Sequence, residues 1–306
     1  MASLREIKDR IGSVRSTLKI TSAMKLVASA KLRKAQRAIE GMRPYERTLA
    51  EILAAVNGAG TAAAPAPLSG PGASLVPDPA RENGFAGALP LPAAPTAVVA
   101  IASNSSLCGG FNANATRLAL ETIRACEGEV EVYPVGRKIA EALKRAGYTA
   151  AADCNDLIGH PSYEKSAALA RSLAERFQAG ELGRVVLVYN RFRSASSQEP
   201  VAEDYLPFTA PALPGESGEA PSPADYLLEP DAEALVAQLL PQVMMLKFHA
   251  AILDSAAAEQ AARTLAMQTA TDNAEDLLGE LTLEYNKGRQ QKITAEILDL
   301  LGGAAE

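Results

Sequence analysis

The N-terminal residues carry a sustained heptad pattern, which restricts this chain to folds built around a long helix. Of the sixteen a and d positions between Leu4 and Val56, only Thr21, Lys25 and Glu46 are not apolar. So sustained a pattern is typical of a coiled coil. At about 1.5 Å per residue such a helix extends roughly 80 Å, which is too long for a compact globular domain.

The predicted helix has a recognisable start and one defect. Ser3 followed by Glu6 fits a capping box, in which each side chain bonds the backbone of the other residue. Pro44 has no backbone N–H, so we expect it to bend the helix or to remove one hydrogen bond near Glu40.

A second long helix is predicted from about Leu228 to Leu301. It contains two heptad runs, which are Leu239, Val243, Leu246, Ala250, Leu253 and Ala257, then Met267, Ala270, Ala274, Leu277 and Leu281. A phase slip near Gln260 separates them. A helix of about seventy residues spans roughly 110 Å, so it would extend beyond the first helix if the two pair as an antiparallel coiled coil.

The two terminal segments carry opposite charge. Residues 1–57 hold 12 Lys and Arg against 5 Asp and Glu, whereas residues 228–306 hold 5 against 13. The segments could attract each other or face different partners. We expect Ile11, Val14 and Leu18 to pack on the C-terminal helix.

Between the helices the chain alternates strand and helix patterns. The predicted strands are 96–102, 129–135, 184–190 and an edge strand at 199–207, and the predicted helices are 112–126, 137–146 and 162–178. This alternation favours a small α/β domain with a mostly parallel sheet.

Two stretches of biased composition connect these parts. Residues 58–95 contain 11 Ala, 8 Pro and 6 Gly, a composition that cannot bury enough apolar surface to offset its ordering entropy. The predicted division is an N-terminal helix (1–57), a spacer (58–95), an α/β domain (96–208), a linker (209–227) and a C-terminal helix (228–306).

The turn after the first strand is the one candidate for chemistry. It contains Cys108, Gly109 and Gly110, but neither GxGxxG nor GxxxxGK[ST] occurs in the chain. A nucleophilic Cys108 needs a nearby base, and the only histidines are His160 and the distant His249. We therefore interpret the turn as close helix–strand packing and predict no catalytic, metal or cofactor site. No uncharged apolar run is long enough to predict a transmembrane helix.

Three parts of the sequence resemble the gamma subunits of F-type rotary ATP synthases. Residues 11–33 (IGSVRSTLKITSAMKLVASAKLR) are similar to the N-terminal signature of that family, and Leu107-Cys108-Gly109-Gly110 with Asn112 to the motif after its first domain strand. Residues 259–273 (EQAARTLAMQTATDN) and 283–294 (LEYNKGRQQKIT) are similar to its C-terminal signature.

The resemblance implies a non-catalytic rotor shaft, with two long helices in an antiparallel coiled coil and a small Rossmann-like α/β domain. In the family, the shaft turns inside a hexamer of alpha and beta subunits, and its foot binds the epsilon subunit and the membrane c-ring. Proton or sodium flow drives the rotation. The resemblance further implies one copy per complex, no cofactor, no nucleic acid partner, no direct membrane insertion and a peripheral location on the cytoplasmic face of a bacterial inner membrane.

Four partner-contact residues follow from the resemblance. Met24 and Lys25 match the shaft region that faces an acidic beta-subunit loop. Arg289 and Gln290 match a polar pair that contacts a beta subunit high on the shaft. Without the resemblance, each would be interpreted as part of a solvated helix face.

The chain departs from the family pattern in two places. Asn104-Ser105-Ser106 stands where the family usually has Asp-Arg-Gly, which removes the charged contact that the arginine can make. The 58–95 spacer is longer and richer in Ala and Pro than the usual connection.

Two other functions fit parts of the sequence. A nucleotide-dependent enzyme would use the α/β domain and bind nucleotide saturably as an isolated chain. A coiled-coil scaffold would form a stable homodimer, whereas a rotor shaft is present once per complex.

Overall fold

A computed structural model describes residues 3–60, 94–208 and 232–303. The predictions for the greater part of the spacer and for the 209–227 linker lie outside these residues. The elements are α1 (Leu4–Gly60), β1 (Thr96–Ile101), α2 (Phe111–Ala125), β2 (Val130–Val135), α3 (Arg137–Arg145), α4 (Asp156–Gly159), α5 (Tyr163–Gln178), β3 (Arg184–Phe192), β4 (Gln198–Leu206) and α6 (Ala232–Gly303). The predicted α/β fold class with two long terminal helices is confirmed, while the domain boundaries stay a prediction.

Helix α1 begins at the predicted capping box. The Glu6 backbone N–H donates to Ser3 Oγ at 3.3 Å, and the Ser3 N–H donates to Glu6 Oε2 at 2.9 Å. Pro44 lies inside the helix, which continues past it to Gly60. The proline therefore does not end the helix.

The α1 heptad positions form the seam with α6. All fourteen of them from Leu4 to Leu49 are buried or half-buried, including Ile11, Val14 and Leu18. The contacts run in opposite directions along the two helices, because Lys25 bonds Gln268, Thr21 bonds Thr271 and Leu4 lies against Gly288. The pair is antiparallel, as predicted.

The α/β domain is built on a four-stranded sheet of order β2-β1-β3-β4. Strand β1 pairs in parallel with β2 and with β3. Strand β4 pairs antiparallel with β3 and forms one edge of the sheet, as predicted. A short helix, α4, was not predicted.

Alternate residues of β1 face two different apolar layers. Val98 and Ala100 share a core with Phe111 of α2. Val99 shares another core with Phe248 of α6, to which α5 also contributes. The long C-terminal helix therefore covers one face of the sheet, and the domain is mounted directly on it.

The surroundings of α6 change along its length. Between Ala251 and Arg263 only Asp254 and Gln260 are not fully buried, because α1 and the domain enclose the helix there. The predicted phase slip near Gln260 falls in this enclosed part. Leu277 was predicted on the seam, but its side chain is 38% exposed.

Candidate functional site

The predicted partner-contact residues lie at two levels of the helical pair. Met24 and Lys25 are half-buried on α1, at the level of Gln268 of α6. Arg289 and Gln290 are exposed near the C-terminal end of α6. Because 21 positions separate Gln268 from Arg289, the two levels are about 30 Å apart along the helix.

Lys25 is bonded within the helical pair. Its Nζ donates to Gln268 Oε1 at 2.7 Å, and Gln268 Nε2 donates to Asp272 Oδ1 at 2.6 Å. An ammonium has three N–H donors, so this bond leaves capacity for a further acceptor outside the pair.

The tip of α6 extends beyond α1. Gly288 is the position that faces Leu4, since a Cβ there would lie 3.0 Å from Leu4 Cδ2. Every side chain from Arg289 to Leu298 is exposed. The tip combines basic residues with apolar ones, and Ile297 and Leu298 are 50% and 62% exposed. Exposed apolar groups of this kind are typical of contact surfaces.

A charged group lies inside the seam at Glu46. Burial, and then the neighbouring Asp254 carboxylate, raise the pKa of Glu46, while Lys247 and Arg43 oppose this shift. Burial also lowers the pKa of Lys247, whose Nζ lies 5.5 Å from the centre of the Phe208 ring. Sequence analysis identified Glu46 as a polar seam position but not the groups that surround it.

Polar contacts fasten the domain to α6 on the α5 and β4 side. Ser166 Oγ lies 2.8 Å from His249 Nδ1, and the Tyr163 ring meets the His249 ring edge-on at 5.6 Å. The buried Tyr205 hydroxyl donates to the Met244 carbonyl at 3.0 Å. Burial lowers the pKa of His249, so the neutral imidazole is favoured in this joint.

The turn after β1 is closely packed. Cys108 is 1% exposed, and Asn112 Nδ2 donates to its Sγ at 3.2 Å. Gly109 has a φ of +57°, a conformation that glycine adopts most easily, and Gly110 is the N-cap of α2. The polar contacts of Cys108 are made with Ser103, Ser105 and Asn112, none of which is a base.

Within the described residues, no group of three or more His, Cys, Asp and Glu side chains is placed to hold a metal ion. None of the helices described is both long and apolar enough to cross a membrane.

The fold and these contacts define an elongated antiparallel helical shaft with an α/β domain fixed to one of its helices. The family model described as ATP synthase matches residues 3–305. The ATP synthase gamma chain of Bacteroides fragilis is 46% identical over 308 residues, covering 99% of each chain. The gamma chain of Flavobacterium johnsoniae is 38% identical and covers 99% of this chain and 98% of its own.

Solved structures share the fold at lower identity. A rotor chain of the Euglena gracilis mitochondrial ATP synthase superposes with a TM-score of 0.58 at 18% identity, covering 95% of this chain and 98% of that one. A chain of the Tetrahymena thermophila central stalk and c-ring structure gives a TM-score of 0.51 at 21% identity, covering 82% and 99%.

The chain belongs to the ATP synthase gamma chain family. Members of this family are the non-catalytic central stalk subunit of the F-type ATP synthase. This membership confirms the resemblance that the sequence showed. We therefore adopt it in place of the two alternative functions, a nucleotide-dependent enzyme and a homodimeric scaffold.

Proposed function

We propose that this chain couples rotation of a membrane c-ring to conformational change at the nucleotide sites of the beta subunits. The coupling ion is a proton or a sodium ion. The shaft turns inside the hexamer of alpha and beta subunits, and its foot binds the epsilon subunit and the c-ring. One copy of the chain is present in each complex. The chain lies on the cytoplasmic face of a bacterial inner membrane.

The projecting tip of α6 is the observation that carries this proposal. Gly288 lies at the level where α1 begins, and the next ten side chains are exposed on a single helix. A single helix cannot present the same face at once to the three beta-subunit nucleotide sites, which are chemically identical. An asymmetric tip of this kind would therefore make the three sites differ at every instant of a rotation.

The joint between shaft and domain supports the transmission of torque. A buried apolar layer that includes Val99 and Phe248 is reinforced by the bonds of His249 and Tyr205. Interiors of this kind are close-packed and have low compressibility. Rotation applied to the domain would therefore reach the shaft with little loss.

We assign beta-subunit contacts to Met24, Lys25, Arg289 and Gln290. Lys25 has ammonium donors left after its bond to Gln268, and these suit an acidic loop. The exposed Arg289 guanidinium can bind a carboxylate through two parallel hydrogen bonds.

Single-molecule rotation tests the proposal. The chain is assembled with alpha and beta subunits from the same organism, and a bead is attached to its α/β domain. We expect stepwise rotation in one direction when ATP is supplied. Hydrolysis that proceeds equally well without the chain, with no rotation of the bead, would contradict the proposal.

The whole complex in vesicles tests the coupling. ATP should drive ion uptake through the c-ring. A protonophore abolishes the resulting ion gradient if protons are coupled, whereas a sodium dependence of transport identifies the alternative ion.

A further inference from the structure

The most enclosed ion pair among the described residues lies where α6 meets the domain. Arg263 Nη1 donates to Glu259 Oε1 at 2.6 Å, and the two side chains are 10% and 9% exposed. In every other ion pair of the described ranges, each side chain is at least 26% exposed. An enclosed ion pair is tolerated when further hydrogen bonds satisfy its remaining polar atoms.

Ser105 supplies such a bond from the domain. Arg263 Nη2 donates to Ser105 Oγ at 2.7 Å, across 158 positions of sequence. Ser105 lies in the loop between β1 and α2. The guanidinium therefore joins a carboxylate of its own helix to a loop of the domain.

The same loop is held from the domain side as well. Asn104 Oδ1 accepts from the Arg137 backbone N–H at 2.9 Å, and Asn104 Nδ2 donates to the Asn155 carbonyl at 3.0 Å. Leu107, at the tip of the loop, has a φ of +66° and is 59% exposed. A leucine persists in this strained conformation when its surroundings fix the backbone.

We propose that Arg263 is a positioning residue that, with Ser105, latches the β1–α2 loop to the shaft. The latch, defined as the hydrogen bond between these two side chains, makes the loop and α6 turn as one body. This inference rests on the proposed rotary function. Loss of the latch should let the loop lag behind the shaft, so that less of each rotation passes from α6 to the domain.

The latch depends on the residue at position 105. The acceptor is the side-chain hydroxyl of Ser105. A guanidinium has no acceptor atom, so an arginine at this position could not receive the bond from Arg263. The latch is therefore specific to chains that carry a hydroxyl or another acceptor at this position.

Hydrogen exchange in the isolated full-length chain tests the latch directly. Ser105→Ala removes the acceptor and Ser105→Thr keeps it. Ser106→Ala changes the neighbouring serine, which is exposed as Ser105 is, and is the matched control. We expect the hydrogen-bonded amides of Ser103 and Phe111, at the two ends of the loop, to exchange about tenfold faster in Ser105→Ala, because the lost bond involves a charged donor. Ser105→Thr and Ser106→Ala should match the wild type. Unchanged exchange in Ser105→Ala would overturn the latch.

Coupling in the reconstituted complex tests its role. The number of ions transported per ATP hydrolysed should fall in Ser105→Ala while the hydrolysis rate stays at the wild-type level. Ser105→Thr should restore the ratio. A ratio equal to that of the wild type and of Ser106→Ala would overturn the positioning role.

A second variant covers the case in which Ser105→Ala does not assemble. Arg263→Lys keeps a positive charge beside Glu259, but its compact ammonium lacks the planar fork that spans two acceptors. We expect the same faster loop exchange and the same lower ratio, and wild-type values for both would overturn the proposal. If the wild-type chain itself does not support coupled hydrolysis, the rotary function fails, whereas the exchange experiment still decides whether the latch exists.

Discussion

The polar residues of the α1 seam meet polar partners on α6. Thr271 donates to Thr21 at 3.0 Å, and Lys25 bonds Gln268 one turn away. Glu46 lies among charged groups. A shift of one helix along the other would leave each of these groups enclosed without its partner, which is unfavourable. The polar positions therefore fix the register of the pair, as single polar residues do in coiled coils.

The exposed tip residues give the most direct functional prediction. Arg289→Ala combined with Gln290→Ala should leave the helicity unchanged but lower ATP turnover of the reconstituted complex severalfold. Both side chains are exposed, and a hydrogen bond to a charged group contributes about 1.5–3 kcal/mol. Circular dichroism and steady-state hydrolysis are measured on the same preparations. Gln291→Ala is the matched control. Wild-type turnover in the double variant would mean that Arg289 and Gln290 make no functional contact and are only part of a solvated helix face.

Glu46→Gln should change how stability depends on pH. Burial and Asp254 raise the pKa of Glu46 above its usual value of 4.5. The Glu46 carboxyl therefore loses its proton at a lower pH in the unfolded chain than in the folded chain. The free energy of unfolding falls as the pH rises from the lower of these two pKa values through the higher one. The glutamine of the variant does not titrate, so the variant does not lose stability in this way. Its unfolding free energy, relative to wild type, should increase between about pH 4 and about pH 7.5.

Denaturant unfolding at the two pH values measures this difference. Glu40→Gln, at an exposed position of the same helix, is the control for the loss of a surface charge. A relative unfolding free energy of Glu46→Gln that stays constant or decreases with pH would contradict the assignment of Glu46 as a disfavoured buried carboxylate.

At the scale of elements, α6 serves two purposes along one helix. Its N-terminal half covers the sheet and joins the domain core, with Phe248 and Ile252 both 0% exposed. Helix α1 packs along both halves of α6, since Leu32 shares a core with Ala257, and the exposed tip of α6 then stands alone. One continuous helix therefore connects the domain to the tip without a loop that could bend under load.

Phe248→Ala should test how much of the stability lies in this joint. The side chain is fully buried against the domain core, and removal of a buried phenylalanine costs about 3–5 kcal/mol. Leu298→Ala, at a residue that is 62% exposed, should cost no more than about 0.5 kcal/mol. Chemical unfolding followed by circular dichroism compares the two. Equal small effects would show that the domain core does not depend on α6.

At the scale of the whole molecule, length and charge are distributed unequally. Helix α6 has 72 residues and α1 has 57, and the basic N-terminal segment pairs with an acidic C-terminal one. Opposite charges along paired helices favour association. The difference in length leaves the tip without a helical partner in the described chain.

The spacer supplies a prediction at the same scale. Deletion of most of residues 58–95 should leave the ATPase activity of the assembled complex largely intact, because its composition does not support a packed core. Hydrolysis and the yield of assembled complex are compared with those of the full-length chain. A large loss of either would identify the spacer as a functional contact.

Local periodicity in the sequence determined much of this fold. The heptad of α1 predicted the buried face from Leu4 to Leu49, and Ser3 with Glu6 predicted the start of the helix. The alternation of patterns predicted the parallel sheet with an edge strand. These features depend on neighbouring residues, so the sequence alone specifies them.

Only the tertiary structure decided which surfaces meet. The heptad of α6 is interrupted near Gln260 because the domain and α1 both bury the helix there, and Leu277 is exposed although its spacing placed it on the seam. The bonds of Lys25 to Gln268 and of Ser105 to Arg263 join residues 243 and 158 positions apart. Such contacts depend on the register of the paired helices and the placement of the domain, which no local pattern encodes.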